Sequence, residues 1–313
     1  MKNITLHSNG KLLLSGEYLV MQGALALALP LIKGQSLNIS PVHGNRLLWE
    51  STDTEGIWFS CEINLNSWDI ISTSDPLKAS KLIEIIRMAA ILNPRFLIHD
   101  QGYKVQSNLE FSKEWGWGSS STLYTNIANW AEIDPFTLYF ALENGSGYDI
   151  ACAHAKQAVL YQLRGKDPVY QEIDFNPPFR ANLAFIYSGK KQDTRTSILE
   201  FRSEISKHTT ESEQITQITK EIADSRKLND FLYFLKEHEK IISSLLGMKM
   251  IQEAEFGDFE GITKSLGAWG GDFLLAASNN GIEYIRQYFQ NKGLNIIYGF
   301  DQIIRHDGNN NAK

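Results

Sequence analysis

Cysteine is nearly absent. The 313-residue chain carries two, Cys61 and Cys152, far apart in sequence. A disulfide framework and a four-cysteine zinc site are excluded, and the usage suits a reducing compartment. The seven histidines include no pair at i, i+4 and no Cys/His cluster, so zinc chemistry lacks its ligands. Basic residues are in deficit, 30 Lys+Arg against 36 Asp+Glu, for a net charge of −6. That excludes a generally basic nucleic-acid binder and leaves room for a local phosphate site. Long hydrophobic runs are missing too. The most apolar stretch, residues 18–32, is broken by Gln22, Gly23 and Pro30. At about 15 residues it falls short of the ~20 that a spanning helix needs. Residues 1–10 are polar, unlike a signal peptide. The expectation is a cytoplasmic protein with neither a membrane nor a nucleic acid as partner. No Gly-Lys-Ser/Thr completes a Walker loop, no nucleophile elbow supports a hydrolase, and no internal repeat is present.

What is present is material for a sizeable core: 43% of residues are hydrophobic, and the length suits about two domains. Residues 37–40 and 57–63 alternate apolar and polar, as half-buried strands do. Asp75-Pro76 and Asp134-Pro135 each place an N-cap before a proline at the first helical position. These helices are predicted to stop at Asn93-Pro94 and Asn144-Gly145. Residues 159–163 and 183–187 read as strands. Helical spacing dominates beyond Ser197, as in Ile215/Ile218/Ile222 and Phe231/Leu235/Ile242. A helix over 281–291 and a strand over 294–299 follow, and the tail from Asp307 has a disordered composition. The order is that of an α+β protein. The change of character at Asn176-Pro177-Pro178 sets expected domains at 1–178 and 179–313.

The strongest chemical feature is Trp115-Gly116-Trp117-Gly118-Ser119-Ser120-Ser121-Thr122, which runs into helical spacing at Leu123, Ile127 and Trp130. Glycines let the backbone turn sharply and approach a ligand. A helix N-terminus offers unpaired N–H groups and the positive end of its dipole, a cradle for phosphate. Serine hydroxyls add ligands for phosphate or Mg²⁺. The same turn also serves as a plain helix cap, so it does not stand alone. Two further glycine motifs frame it: Gly10-Lys11-Leu12-Leu13-Leu14-Ser15-Gly16-Glu17-Tyr18, and Lys264-Ser265-Leu266-Gly267-Ala268-Trp269-Gly270-Gly271-Asp272.

Three such motifs in this order resemble the GHMP kinases, the family of galactokinase, homoserine kinase, mevalonate kinase and phosphomevalonate kinase. The resemblance spans most of the chain. It implies a two-domain α+β fold, an N-terminal ATP-binding domain like domain 2 of ribosomal protein S5 and a ferredoxin-like C-terminal domain. It implies ATP and Mg²⁺ as cofactors, with the phosphates over Gly116, Trp117, Gly118, Ser119, Ser120, Ser121 and Thr122. Gly145-Ser146-Gly147-Tyr148-Asp149 stands where mevalonate-type members carry Ser-Gly-x-Asp. The resemblance therefore makes Asp149 the base or orienting group and Lys11 its cationic partner. A carboxylate beside a cation stays ionised and can accept a hydroxyl proton. Glu17, Tyr18, Ser146, Gly147, Gly267, Ala268, Gly270, Gly271 and Asp272 fall on the acceptor side. Gly16-Glu17-Tyr18 and Asp272 resemble the phosphomevalonate kinase pattern, and Lys190, Lys191 and Arg195 suit a phosphorylated acceptor. The expected partner is thus a phosphorylated small molecule, and the protein a monomer or homodimer. Mevalonate kinase, diphosphomevalonate decarboxylase and a silent ligand-binding member remain open.

Two departures stand out. Trp117 and Trp269 occupy places where the family usually has an aliphatic and a small residue. One expectation is that both rings line the nucleotide cleft, and the other is that they pack beneath their loops. Relatives also place a magnesium-ligating Glu eleven residues before the Asp, which here is Leu138. Metal binding is assigned to Ser120 and Glu143, at a different spacing.

Overall fold

The computed structural model describes residues 3–97, 101–189, 208–267 and 271–306. They form two compact units, neither continuous in sequence. The first comprises Met1–Gly10, Lys33–Lys113 and Trp117–His154; the second Lys11–Ile32, Glu114–Gly116 and Ala155–Lys313. The sequence drew one boundary near residue 178. The difference arises because strands β1 (Ile4–Ser15) and β2 (Ala26–His43) each pass through both units.

In the first unit, β3 (Arg46–Asp53), β4 (Gly56–Asn64), β5 (Ile70–Thr73) and β6 (Gln101–Leu109) join the second half of β2 in the order β5-β4-β3-β6-β2. β3 and β6 are parallel, and the other pairs are antiparallel. One face of β3, β4 and β6 is buried in alternation, with Leu47, Trp49, Phe59, Cys61, Ile63 and Val105 turned inward. Against them pack α1 (Pro76–Leu92), α2 (Ser119–Trp130), α3 (Pro135–Leu142) and α4 (Tyr148–His154). Asp75 caps α1 by accepting from the Leu77 and Lys78 amides, and Asp134 caps α3 through the Thr137 amide. Fully buried Leu82, Ile86, Ile127 and Leu138 each stabilise this core by about 1.5–3 kcal/mol.

In the second unit, the first half of β2 pairs with β7 (Ala158–Arg164), which pairs with β8 (Asp167–Ile173). A separate antiparallel sheet has the order β10-β11-β9-β12, from β9 (Leu183–Tyr187), β10 (Ile262–Leu266), β11 (Phe273–Ala277) and β12 (Ile297–Gly299). Helices α5 (Thr209–Asp224), α6 (Leu228–Leu246), α7 (Ile251–Glu255), α8 (Gly281–Asn291) and α9 (Phe300–Ile303) complete it. Ile285 and Phe289 of α8 seal one face of this sheet over Ile186 and Leu274. The buried stripe of α6 reads Phe231, Leu235, His238, Glu239, Ile242, so two ionisable groups lie on an apolar face.

Candidate functional site

The glycine turn before α2 is built from backbone geometry. Gly118 is the N-cap, at φ 91, a left-handed conformation that suits glycine. It has no side chain to cap the helix, and Ser119 and Ser120 stand at the open end, Ser120 exposed. The first-turn N–H groups therefore point where an anion can use them. Ser121 and Thr122 point the other way. They are buried, Ser121 Oγ donating to the Gly118 carbonyl (2.9 Å) and Thr122 Oγ1 facing Gln35 Oε1 (2.6 Å). Of the expected phosphate-binding hydroxyls, these two serve the helix itself. They belong to a buried polar chain: Ser8 Oγ donates to Asn126 Oδ1 (2.8 Å), Asn126 Nδ2 to the Gln35 carbonyl (2.9 Å), and Gln35 Nε2 to Ser107 Oγ (2.7 Å). Satisfied in a dry interior, this chain fixes α2 in direction and register.

Trp117 is fully buried and meets Phe111 edge-on at 5.6 Å. Its ring supports the loop from beneath, so it does not line a nucleotide cleft. Trp269, with Ala268 and Gly270, lies outside the described residues, as do Lys190, Lys191 and Arg195.

Asp149 sits in the first turn of α4, which packs on α2, and its Oδ1 accepts from the Ile150 amide (3.1 Å). The preceding turn admits little but glycine. A β-carbon on Gly145 would stand 1.9 Å from the Tyr139 hydroxyl, and one on Gly147, at φ 81, 3.0 Å from Phe140. Ser146 and Gly147 of this turn are buried. Burial, then the Asp149 and Glu143 carboxylates, push the Tyr139 phenol well above its usual range, so it stays protonated beside Asp149.

Glu143 does not present a free carboxylate. Its Oε1 takes a hydrogen bond from Tyr124 (2.6 Å) and an ion pair from Lys81 (2.8 Å). Burial opposes its ionisation, but Lys81 and Tyr124 hold its carboxyl below the usual range. Among the described residues, no three His, Cys, Asp or Glu side chains converge as metal ligands, and Leu138 is fully buried. Ser120 is the exposed oxygen donor among the expected ligands.

The second unit gathers the other motifs. Lys11 Nζ donates to the Gly116 carbonyl at 3.1 Å. Gly116 has φ 65, and Asp272 lies against it. Trp115 contacts Tyr187, Phe273 and Tyr298 at 5.8–6.0 Å, which ties the start of this motif to β9, β11 and β12. Gly267 has φ 78 and Gly271 is buried. Tyr18 packs by Leu19 and Ile215. Glu17, expected on the acceptor, is instead 3% exposed, with Lys264 at 2.5 Å and His238 at 3.1 Å. Burial opposes its ionisation, yet Lys264 and His238 hold its carboxyl down at about 2. In the sequence Lys264 only begins the third glycine motif. His238, Glu239, Lys81 and Tyr124 gave no sequence signal, since their partners lie far along the chain.

No family model and no curated protein matches the chain by sequence. Solved structures do match in fold. Streptococcus pneumoniae phosphomevalonate kinase, in complex with phosphomevalonate and AMPPNP, is similar with TM-score 0.71 over 95% of this chain and 99% of its own, at 17% identity. L. major mevalonate kinase with R-mevalonate has TM-score 0.68, covering 97% and 96%, at 13% identity. Lactococcus lactis galactokinase with galactose has TM-score 0.68, covering 97% and 94%, at 12% identity.

Proposed function

We propose that this chain, which has the two-domain α+β fold of the GHMP kinases, is an ATP-dependent small-molecule kinase, with phosphomevalonate kinase-like chemistry as the leading case. One observation carries the reading. The uncapped N-terminus of α2, opened by left-handed Gly118, and Asp149 on the neighbouring α4 are held in the same compact unit. Phosphoryl transfer asks mainly for positioning and charge stabilisation, and these groups provide both.

In this reading the α2 amides receive nucleotide phosphate, and Ser120 supplies an oxygen to the Mg²⁺ that accompanies it. Mg²⁺ held there would supply charge neutralisation to the phosphates. Asp149 orients the acceptor oxygen and takes its proton as that oxygen bonds to the γ-phosphorus. The bridging P–O bond breaks and ADP leaves. Lys11 keeps the role of cationic partner that the family resemblance implies.

A second reading, a silent ligand-binding member, draws on two facts: Leu138 fills the place of the acidic ligand, and Lys81 neutralises Glu143. Calorimetry with Mg-ATP, followed by ADP release over mevalonate, phosphomevalonate, diphosphomevalonate and galactose, separates the two. The kinase reading expects Asp149→Asn to abolish turnover while sparing ATP binding. Turnover at the parent rate in that variant rejects the role of Asp149, and Mg-ATP binding without transfer to any acceptor favours the silent reading.

A further inference from the structure

The second unit buries four ionisable side chains against one another: Glu17 (3% exposed), His238 (0%), Glu239 (2%) and Lys264 (1%). Lys264 Nζ reaches Glu17 Oε1 at 2.5 Å, the Ser265 carbonyl at 3.0 Å and Glu239 Oε1 at 3.4 Å. An ammonium has three protons, so these contacts account for all its donors. On the other side, Glu17 Oε2 lies 3.1 Å from His238 Nε2, and the Gly16 amide is directed at the same nitrogen at 3.1 Å. His238 Nδ1 stands 3.8 Å from Glu239 Oε1.

Such a cluster is a poor way to gain stability. Desolvating several charges costs several kcal/mol per ion, and apolar packing of similar volume often does as well or better. What the cluster does give is direction. The Lys264 bonds to Glu17 and to the Ser265 carbonyl are short and angular, and the three elements that supply the cluster are remote in sequence. Glu17 follows β1, the strand that bears Lys11. His238 and Glu239 lie on α6. Lys264 lies on β10, three residues before Gly267. The turn has no slack of its own. A β-carbon on Gly16, at φ 93, would stand 2.7 Å from Ala26, and Ser15 Oγ donates to Thr219 Oγ1 (2.9 Å) on α5.

We propose that Lys264, His238 and Glu239 form a buried charge clamp on Glu17, which fixes the Lys11-bearing strand and the start of the third glycine motif as one piece. The three are positioning residues, and Glu17 acts through them rather than on the acceptor. The kinetic consequence rests on the kinase reading; the clamp itself does not.

The test uses the full chain and three readouts, thermal melting among them. Hydrogen–deuterium exchange follows peptides covering residues 9–18 and 262–267, and steady-state ATP turnover follows kcat and KM. Lys264→Met leaves two carboxylates with no ammonium. The double variant Glu17→Gln/Lys264→Met restores the parent charge balance, and Glu239→Gln is the mild change. Exchange is expected to rise in both segments together for all three, with melting in the double variant recovering toward the parent. In the double variant kcat is expected to fall at least roughly tenfold, with KM for ATP within about threefold. Should Lys264→Met fail to fold, the other two variants carry the test. Exchange that rises in only one segment, or in neither, overturns the clamp. Parent kcat in the double variant overturns the positioning role. A parent protein that transfers no phosphate rejects the kinase reading alone, and exchange still decides the clamp.

Discussion

A β-carbon on Gly116 would stand 2.0 Å from Oδ2 of Asp272. The carboxylate of the third glycine motif is therefore seated on the turn of the second, whose carbonyl also receives the Lys11 ammonium. Gly116→Ala is expected to force Asp272 away and to strain a backbone at φ 65, costing about 1–2 kcal/mol. Adding Asp272→Gly removes the clash and leaves only the strain. Thermal melts of both single variants and the double form a cycle. Strictly additive losses reject the contact.

The serines of α2 should separate by depth. Thr122→Val removes the hydroxyl that faces buried Gln35 and is expected to cost about 1–3 kcal/mol of stability. Its effect on Mg-ATP affinity is expected to be small, because the hydroxyl faces the interior. Ser120→Ala is expected to do the reverse, weakening Mg-ATP binding with melting unchanged. Calorimetry beside a melting scan distinguishes the two patterns, and a shared pattern contradicts the division.

Acid should reveal Glu17. Its carboxyl is held at about 2 against a usual 4.5. A depressed carboxyl stabilises the folded chain fully above the usual value, and that contribution fades as pH falls from 4.5 toward 2. The expected outcome is that Glu17→Gln is less stable than the parent at neutral pH, and that the gap narrows between pH 4.5 and 2. Urea melts across that window check it. A gap that does not change with pH contradicts the ion pair.

Glu143 supplies a contrast to metal ligation. With Oε1 bonded to Tyr124 and paired with Lys81, it braces α1, α2 and the end of α3. Glu143→Gln is expected to lower stability by about 1 kcal/mol, with the magnesium dependence of nucleotide binding unchanged. A weakened Mg²⁺ dependence would return Glu143 to the role of ligand.

Local structure was largely legible in the sequence because its causes are local. Asp75-Pro76 and Asp134-Pro135 start α1 and α3 as their caps require, and the glycine turn before Asp149 opens α4. Alternation found β4, and helical spacing found α5 and α6. What escaped depends on distance along the chain. β2 runs unbroken through Pro30, which reads as an interruption in the sequence, and is held extended on either side by β7 at Ala26–Ala28 and by β6 at Gln35–His43. Lys264 and Glu17 are 247 positions apart, so a sequence that puts Glu17 on the acceptor side and gives Lys264 no role carries no sign of their pairing. Trp117 stands where the resembling family has an aliphatic residue, which suits either the cleft or packing beneath the loop, and the fold places its ring against Phe111.

The threading of β1 and β2 through both units also sets an order of assembly. Every segment of the first unit precedes Ala155, so that unit can close while the rest of the chain is still being synthesised. The second needs residues 11–32, made early, together with strands and helices made last. Its first segment must wait, β1 and β2 paired with each other but the β7 side of β2 uncovered, until the sequence after Ala155 arrives. A chain stalled before Ala158 is thus expected to leave one finished unit trailing a β1–β2 pair whose β7-facing edge is open, the kind of edge that recruits other chains.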